Sequence, residues 1–293
     1  MDYQEFLKQK TIINHSYGHE CLADLSLAKP FQKPCVQWAT QKGKAALFHD
    51  TGLGKTFQQL LWSDSVVKET KGKVLVVAPL SVSSQTVREG KKFGIVVNKI
   101  RHEQDIRPGI NITNYDILNH FNCSQFDGVV IDESSVLKNY SGKIRNEIID
   151  LFRYTPYKLA CTATPAPNDI MEIGNHAEFL GVISRTEMLA TFFVHDGGET
   201  SKWRLKGHAQ KDFWKWMASW ALMVKKPSDI GFENAGYDLP PLNIDYHFVD
   251  YGSASQGKLF KDLAISLDEQ RKVRKNTIKD RFDKLKEILT DDQ

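Results

Sequence analysis

Asp50-Thr51-Gly52-Leu53-Gly54-Lys55-Thr56 is the stretch that decides the fold. It follows the apolar run 45–48 and precedes a helical pattern over 55–69. A strand, a glycine-rich turn and a helix in that order form a phosphate-binding loop. The glycines let backbone N–H groups turn inward around phosphate oxygens, and the helix N-terminus adds its dipole. Lys55 supplies a point charge for the β- and γ-phosphates, and the Thr56 hydroxyl a ligand for Mg²⁺. The candidate ATP-binding set is therefore Thr51, Gly52, Leu53, Gly54, Lys55 and Thr56. One departure stands out: His49 occupies the place of the first glycine in G-x-x-x-x-G-K-[ST].

Such a loop needs a carboxylate at the end of a second strand, and Val129-Val130-Ile131-Asp132-Glu133 supplies it. A buried parallel strand ending in Asp-Glu puts both acids at the carboxyl edge of the sheet, beside the loop. Asp132 is the candidate metal carboxylate. Glu133 is the candidate base for the attacking water, because a metal alone positions charge without accepting the proton. Lys55, Asp132 and Glu133 form the candidate catalytic set, with Thr56 and Asp132 holding Mg²⁺.

Working outward, the runs 45–48, 74–78, 95–100, 110–113, 129–131 and 157–162 are short and bounded by Gly, Pro, Asn or Asp, which marks buried strands. Helical patterns fill 55–69, 83–92, 116–120 and 142–152 between them. Strands alternating with helices define an α/β lobe whose parallel sheet is covered by helices on both faces.

The whole chain of 293 residues is long enough for about two domains of ~150 residues each. Charged residues are 26% and hydrophobic ones 41%, which excludes a mainly disordered chain. No apolar run approaches the ~18 residues of a membrane-spanning helix, and the polar start MDYQEFLKQK is no signal peptide. Membrane partners are not expected. A net charge of +3 is too mild to argue nucleic-acid binding by itself. Cys21, Cys35, Cys123 and Cys161 form no C-x-x-C pair, which fits a reducing cytoplasmic setting. The His15, His19 and Cys21 group matches no zinc spacing.

Past Gly181 the texture changes. Residues 182–235 carry few strand signals. Phe213, Trp216, Met217 and Trp220 share one helical face, with Trp214, Ala218 and Leu222 on the neighbouring stripe. So wide an apolar surface reads as a helix packed into a core rather than a base-stacking groove. Residues 238–242, with paired prolines, read as a stiff connector. Residues 244–249 read as a strand and 256–289 as helix. Eight basic residues against two acidic ones over 271–286 suit a solvated helix face, with a nucleic-acid track as the competing reading.

These motifs, in this order, resemble superfamily 2 DNA helicases and translocases, in the Swi/Snf-like branch and its phage-encoded relatives. DTGLGKT (50–56) is similar to that family's motif I, VLVVAPLSV (74–82) to motif Ia and NITNYDIL (111–118) to motif Ib. VVIDESS (129–135) is similar to motif II, with Ser134-Ser135 in place of Ala-His or Gly-His. LACTATPAPND (159–169) is similar to motif III, and Phe31-Gln32 with Val36 and Trp38 to the glutamine motif. The resemblance covers roughly residues 30–250. It implies a RecA-like ATP-binding lobe 1 over 1–181, a helical insertion over 182–242, and a linker with the start of an incomplete lobe 2 over 243–293. It implies that Gln32 reads adenine and that Thr162, Ala163 and Thr164 couple the nucleotide to the DNA surface. It implies that Pro79, Ser81, Thr113 and Asn114 meet a nucleic-acid backbone, with turn chemistry as the competing reading of those four. Ser134 is expected to tune the coupling.

The resemblance further implies ATP-driven movement along nucleic acid, more often duplex DNA without strand separation, in the cytoplasm, which for a phage-encoded protein is that of the host cell. Its second lobe carries an arginine finger in a Q-x-x-G-R-x-x-R element, and residues 244–293 contain none. The expectation is therefore a fragment that binds ATP and Mg²⁺ and hydrolyses weakly without a second RecA-like lobe. The alternative is a nucleotide-gated nucleic-acid or protein-binding module without hydrolysis of its own. A protein-remodelling ATPase is a third reading.

Overall fold

The apolar runs become parallel strands because both of their faces are covered, as the near-continuous Val, Ile, Leu and Ala content requires. The computed structural model describes residues 16–196, 199–237, 244–249 and 266–291. The chain divides into two units, Met1–Asp238 and Leu239–Gln293.

The first unit begins with α1 (Gln32–Lys42), β1 (Lys44–His49), α2 (Lys55–Thr70), β2 (Lys73–Ala78), α3 (Leu80–Lys92), β3 (Val97–Lys99) and β4 (Gly109–Asn114). It continues through β5 (Gly128–Asp132), α4 (Lys143–Leu151), β6 (Tyr157–Cys161), α5 (Ile173–Leu180) and α6 (Arg185–Phe192). It ends with β7 (Phe193–Asp196), β8 (Glu199–Leu205), α7 (Gln210–Ala218) and β9 (Ala221–Val224). Seven strands form one sheet in the order β3-β4-β2-β5-β6-β1-β9, and every pairing in it is parallel. β7 and β8 make a separate antiparallel pair.

Alternate side chains of each strand feed opposite faces, as a period of two dictates. On β1, Ala45 and Leu47 join one core with Leu60, Trp62 and Val66 of α2. Ala46 and Phe48 join the other, with Ile148 of α4, Ala177 of α5, Met188 of α6 and Phe213 of α7. A sheet lined on both sides in this way is the architecture expected of the sequence. Because all seven strands run the same way, their carboxyl ends lie along one edge. The phosphate-binding loop follows β1, Thr162 follows β6, Asp132 closes β5, Pro79 follows β2 and Asn114 closes β4. Ligands of open α/β sheets bind at that edge.

The structure corrects three readings of the chain after Gly181. Residues 182–237 contain strands β7, β8 and β9, and β9 joins the main sheet beside β1, in the register Ala46↔Ala221 to His49↔Val224. The apolar stripe hid this because α7 ends at Ala218 and its apolar sequence runs straight on into ALMV, so one periodicity covered two elements. Leu222 is thus a strand residue, whereas Phe213, Trp216, Met217 and Trp220 are buried as a core face. Residues 244–249 form no strand. Ile244, Tyr246 and Phe248 are exposed, and no described strand pairs with them, so alternation alone did not make one.

In the second unit, the long helix expected over 256–289 is two helices, α8 (Leu267–Asn276) and α9 (Ile278–Asp291), with Thr277 between them. Residues 256–265, the connector at 238–242 and His15 lie outside the described residues. Among the described residues no group of His, Cys, Asp and Glu could hold a metal, and no helix is long and apolar enough to cross a membrane. The four cysteines are free thiols.

Candidate nucleotide site and nucleic-acid face

The loop between β1 and α2 owes its shape to two glycines, Gly52 at φ 83° and Gly54 at φ 74°, which side-chain-bearing residues adopt only with strain. The amides of Gly52, Leu53, Gly54, Lys55 and Thr56 have no backbone acceptor among the described residues, as the first turn of a helix leaves them. They are the donors that a phosphate group needs. Lys55 Nζ donates to the carbonyls of His49 at 2.9 Å and Asp50 at 3.1 Å, folding the cation back onto its own loop. Thr51 is exposed, and its amide donates to Asp50 Oδ1 at 2.7 Å. Leu53 is buried with Phe31 and Val224, which anchors the loop to α1 and β9.

Gln32 sits at the floor of this site, 4% exposed. Its Nε2 donates to the Leu53 carbonyl at 3.0 Å, and its Oε1 accepts from the Lys29 amide at 3.0 Å. The structure thus gives it a role the sequence does not show, which is to tie the phosphate-binding loop to the chain entering α1. A cavity of about 600 Å³ opens above it, lined by Lys29, Gln32, Thr51, Gly52, Gly54, Lys55, Thr56, Phe93 and Tyr237, among others. Tyr237 stands edge-on to Phe31 at 5.3 Å, with Lys29 Nζ 4.8 Å from its ring centre.

Asp132 lies at the end of β5, and burial pushes its carboxyl above the usual carboxylate range, against the opposing hydrogen bond from Gln59. Gln59 Nε2 donates to Asp132 Oδ1 at 2.8 Å, and the Glu133 amide donates to the same oxygen at 3.1 Å. Sequence reasoning missed Gln59. The signal was available, because Gln59 lies three and four residues after Thr56 and Lys55 and so shares their helical face. A cation at Asp132 relieves the cost of keeping that carboxylate charged. The donor set therefore fits a hard, oxygen-liganded ion such as Mg²⁺ held by Asp132 and Thr56.

Glu133 occupies the left-handed region at φ 57° and ψ 55°, a conformation worth about 1–3 kcal/mol of strain that persists only where neighbours fix it. They do so here. Thr162 Oγ1 and Ser135 Oγ each donate to Glu133 Oε1 at 2.7 Å. The Thr162 hydroxyl in turn accepts from the Thr164 amide at 3.0 Å. Thr162 is fully buried, Ala163 half-buried and Thr164 exposed. The link to Glu133 falls on Ser135; the Ser134 hydroxyl, where the tuning role was expected, is buried without a partner.

Along the same edge, Pro79 precedes α3 and is half-buried, and Ser81 is exposed in its first turn. The pairing Ala78↔Asn114 places the end of β4 directly beside them. Asn114 caps the following turn by accepting from the Asp116 amide at 3.0 Å. The Thr113 hydroxyl is buried and unpartnered, so this residue presents backbone rather than side chain.

A RecA-like lobe, with its phosphate-binding loop at the end of β1 and an Asp-Glu pair at the end of β5, is the class that fold and site define. The SNF2-related domain model matches residues 31–193, and the chain belongs to that family. A relative is the SWI/SNF chromatin-remodeling complex subunit snf22 of Schizosaccharomyces pombe, 23% identical over 182 residues, covering 52% of this chain and 10% of that protein. The Sulfolobus solfataricus SWI2/SNF2 ATPase core in complex with dsDNA shares the fold at a TM-score of 0.58 and 23% identity, covering 70% of this chain and 46% of that one. The ATPase core domain of the same organism gives 0.55 and 23%, with coverage of 76% and 47%. The chain thus spans a tenth of the yeast relative and under half of the archaeal cores.

Proposed function

We propose that this chain is the first lobe of an ATP-dependent DNA translocase. In this reading, residues 1–181 are the ATP-binding lobe. Residues 182–242 are an insertion that returns one strand to its sheet, and 243–293 lead toward a second lobe. The observation that carries the reading is the pair of bonds Gln59–Asp132 and Thr162–Glu133. They hold the two acids in separate roles at the mouth of the phosphate-binding loop.

ATP enters the cavity with its phosphates against the open amides of residues 52–56 and its base toward Gln32 and Tyr237. Lys55 exchanges its two carbonyl partners for β- and γ-phosphate oxygens. Thr56 and Asp132 would hold Mg²⁺, which would supply charge neutralisation for those phosphates. Glu133 Oε1 is taken by Thr162 and Ser135, leaving Oε2 to accept the proton of the attacking water. Pro79, Ser81 and Asn114 offer a helix N-terminus and a strand end to a nucleic-acid backbone, contacts that hold without reading sequence. The dsDNA in the archaeal complex supports duplex DNA as the track.

Equilibrium binding of a fluorescent ATP analogue with Mg²⁺ tests the nucleotide half. The native chain binds, and Lys55→Ala weakens binding about 100-fold or more through loss of the phosphate charge. Retention on a duplex DNA column that falls steeply with salt tests the other half. Binding of the analogue by Lys55→Ala with native affinity overturns the site. Salt-independent or absent DNA retention overturns the track.

A further inference from the structure

Tyr115 connects the two halves of the molecule that the proposed function needs to communicate. It follows Asn114 directly, at the carboxyl end of β4, and opens the turn that Asn114 caps. Its hydroxyl donates to the main-chain carbonyl of Asp132, at the end of β5. In the sheet β4 and β5 are not neighbours, because β2 lies between them. Two strand spacings separate them, roughly 9–10 Å. The phenol spans the position of β2 to reach its acceptor. Its ring packs against the core that holds Phe121, Phe126 and Ile131.

The carbonyl it reaches belongs to the peptide between Asp132 and Glu133. The N–H of that peptide donates to the Asp132 carboxylate at 3.1 Å. Both ends of the unit are therefore pinned, one by Tyr115 and one by the candidate metal ligand. This peptide also sets the left-handed conformation of Glu133. Rotating it moves Glu133 relative to Thr162 and Ser135 and moves Asp132 relative to Gln59. The rotation breaks the Tyr115 bond unless the turn at Asn114 shifts as well. Burial and the nearby Asp132 and Glu133 carboxylates push the phenol well above its ordinary range, so the donor proton is present at any working pH.

We propose that Tyr115 is a positioning residue that couples nucleic acid at the end of β4 to the Asp132–Glu133 peptide, and so to nucleotide and metal. The inference rests on the nucleotide and DNA reading above. It adds a route through a main-chain carbonyl, separate from the Thr162 hydroxyl. Its signature is a coupling factor, the ratio of nucleotide dissociation constants without and with DNA. This factor is the same measured from either ligand.

The experiment titrates the full chain with a fluorescent, non-hydrolysable ATP analogue and Mg²⁺, with and without a saturating 20-base-pair duplex. The native chain is expected to show a factor of about 5 or more. Tyr115→Phe keeps the ring and loses the hydroxyl, and its factor is expected to fall to within twofold of unity. The ratio cancels any change in either affinity alone, and a melting temperature within a few degrees of native confirms the fold. A native-size factor in Tyr115→Phe overturns the relay. So does a native chain that binds both ligands without coupling, while leaving both binding sites in place. A native chain that binds no nucleotide, or no duplex, overturns the proposed function itself and the relay with it.

Discussion

The Thr162 hydroxyl donates to Glu133 Oε1 at 2.7 Å and so ties the end of β6 to the end of β5. Two neighbouring strands thereby fix one carboxylate, the candidate base of the proposed function. The division of labour predicts two different kinetic outcomes. Glu133→Gln keeps the shape and removes the base, so ATP binding stays within a few-fold of native while turnover falls by about 10²–10⁴. Thr162→Val leaves the carboxylate but frees it on one side. Turnover then falls about tenfold, with KM changed less than threefold, because the lost bond orients the base rather than binding the ground state. Steady-state hydrolysis with parallel analogue titrations separates the two.

Gln59→Leu tests the other carboxylate. The substitution removes the donor to Asp132 Oδ1 and leaves a buried acid whose remaining partner is the Glu133 amide. Groups that orient a metal ligand contribute about 10–100-fold in metal affinity. The Mg²⁺ concentration for half-maximal analogue binding therefore rises about tenfold or more. Metal-free binding of the analogue changes little, because Gln59 does not line the nucleotide cavity.

The same helix shows what sequence could and could not disclose. Lys55 and Thr56 were legible because the chemistry of a phosphate-binding loop fixes residue type and spacing within seven positions. Asp132 and Glu133 stood out as candidates because a buried run of Val and Ile ends there in two acids, at the carboxyl edge of the sheet. Gln59 shares the helical face of Lys55 and Thr56, so its signal was there and went unread. Tyr115 left no such signal, since the sheet order sets its acceptor. Ser135 left none either, since only the left-handed turn at Glu133 brings its hydroxyl onto that carboxylate. The first six strands were readable from short apolar runs, several of them Val- and Ile-rich, with polar boundaries. β9 was not, because its four residues continue the apolar stripe of α7 and only pairing with β1 distinguishes them. Helix α1 went unread as well: its buried face carries Gln32 and Thr40 beside Cys35, Val36 and Ala39, so its apolar period is broken by polar residues that the fold satisfies.

Gly54→Ala should uncouple the phosphate-binding loop from its floor. The backbone there stands at φ 74°, and an added Cβ meets Gln32 Nε2 at 2.5 Å. The methyl group displaces the Gln32 amide, one of two side-chain donors to the Leu53 carbonyl beside Gln58 Nε2, and forces a left-handed conformation on a residue that resists it, at about 1–2 kcal/mol. Urea unfolding is expected to show a loss of that size. Analogue binding is expected to fall by more than tenfold, since the loop amides lose their orientation.

His176 sets an acid limit on the fold. Its ring is fully buried in α5, edge-on to Phe48 at 5.1 Å, with Nε2 3.0 Å from the Pro165 carbonyl. Burial lowers its pKa to about 4, and His49 is lowered to about 4 in the same way, first by burial and then by the Lys55 charge. An unfolded histidine titrates near 6.5, so between about 6.5 and 4 the unfolded chain binds more protons than the folded one. Stability therefore falls as pH drops through this window, starts to fall near 6.5, and stops responding to these two groups below about 4. At pH 5 each histidine accounts for about 2 kcal/mol of the loss. His176→Phe keeps a ring against Phe48 and removes the titration. Urea unfolding at pH 7.5 and 5.0 should then show a loss on acidification smaller than native by about 2 kcal/mol, whatever the variant's stability at neutral pH. An unchanged loss would mean that the imidazole titrates in the fold as it does in the unfolded chain, so that burial does not lower it.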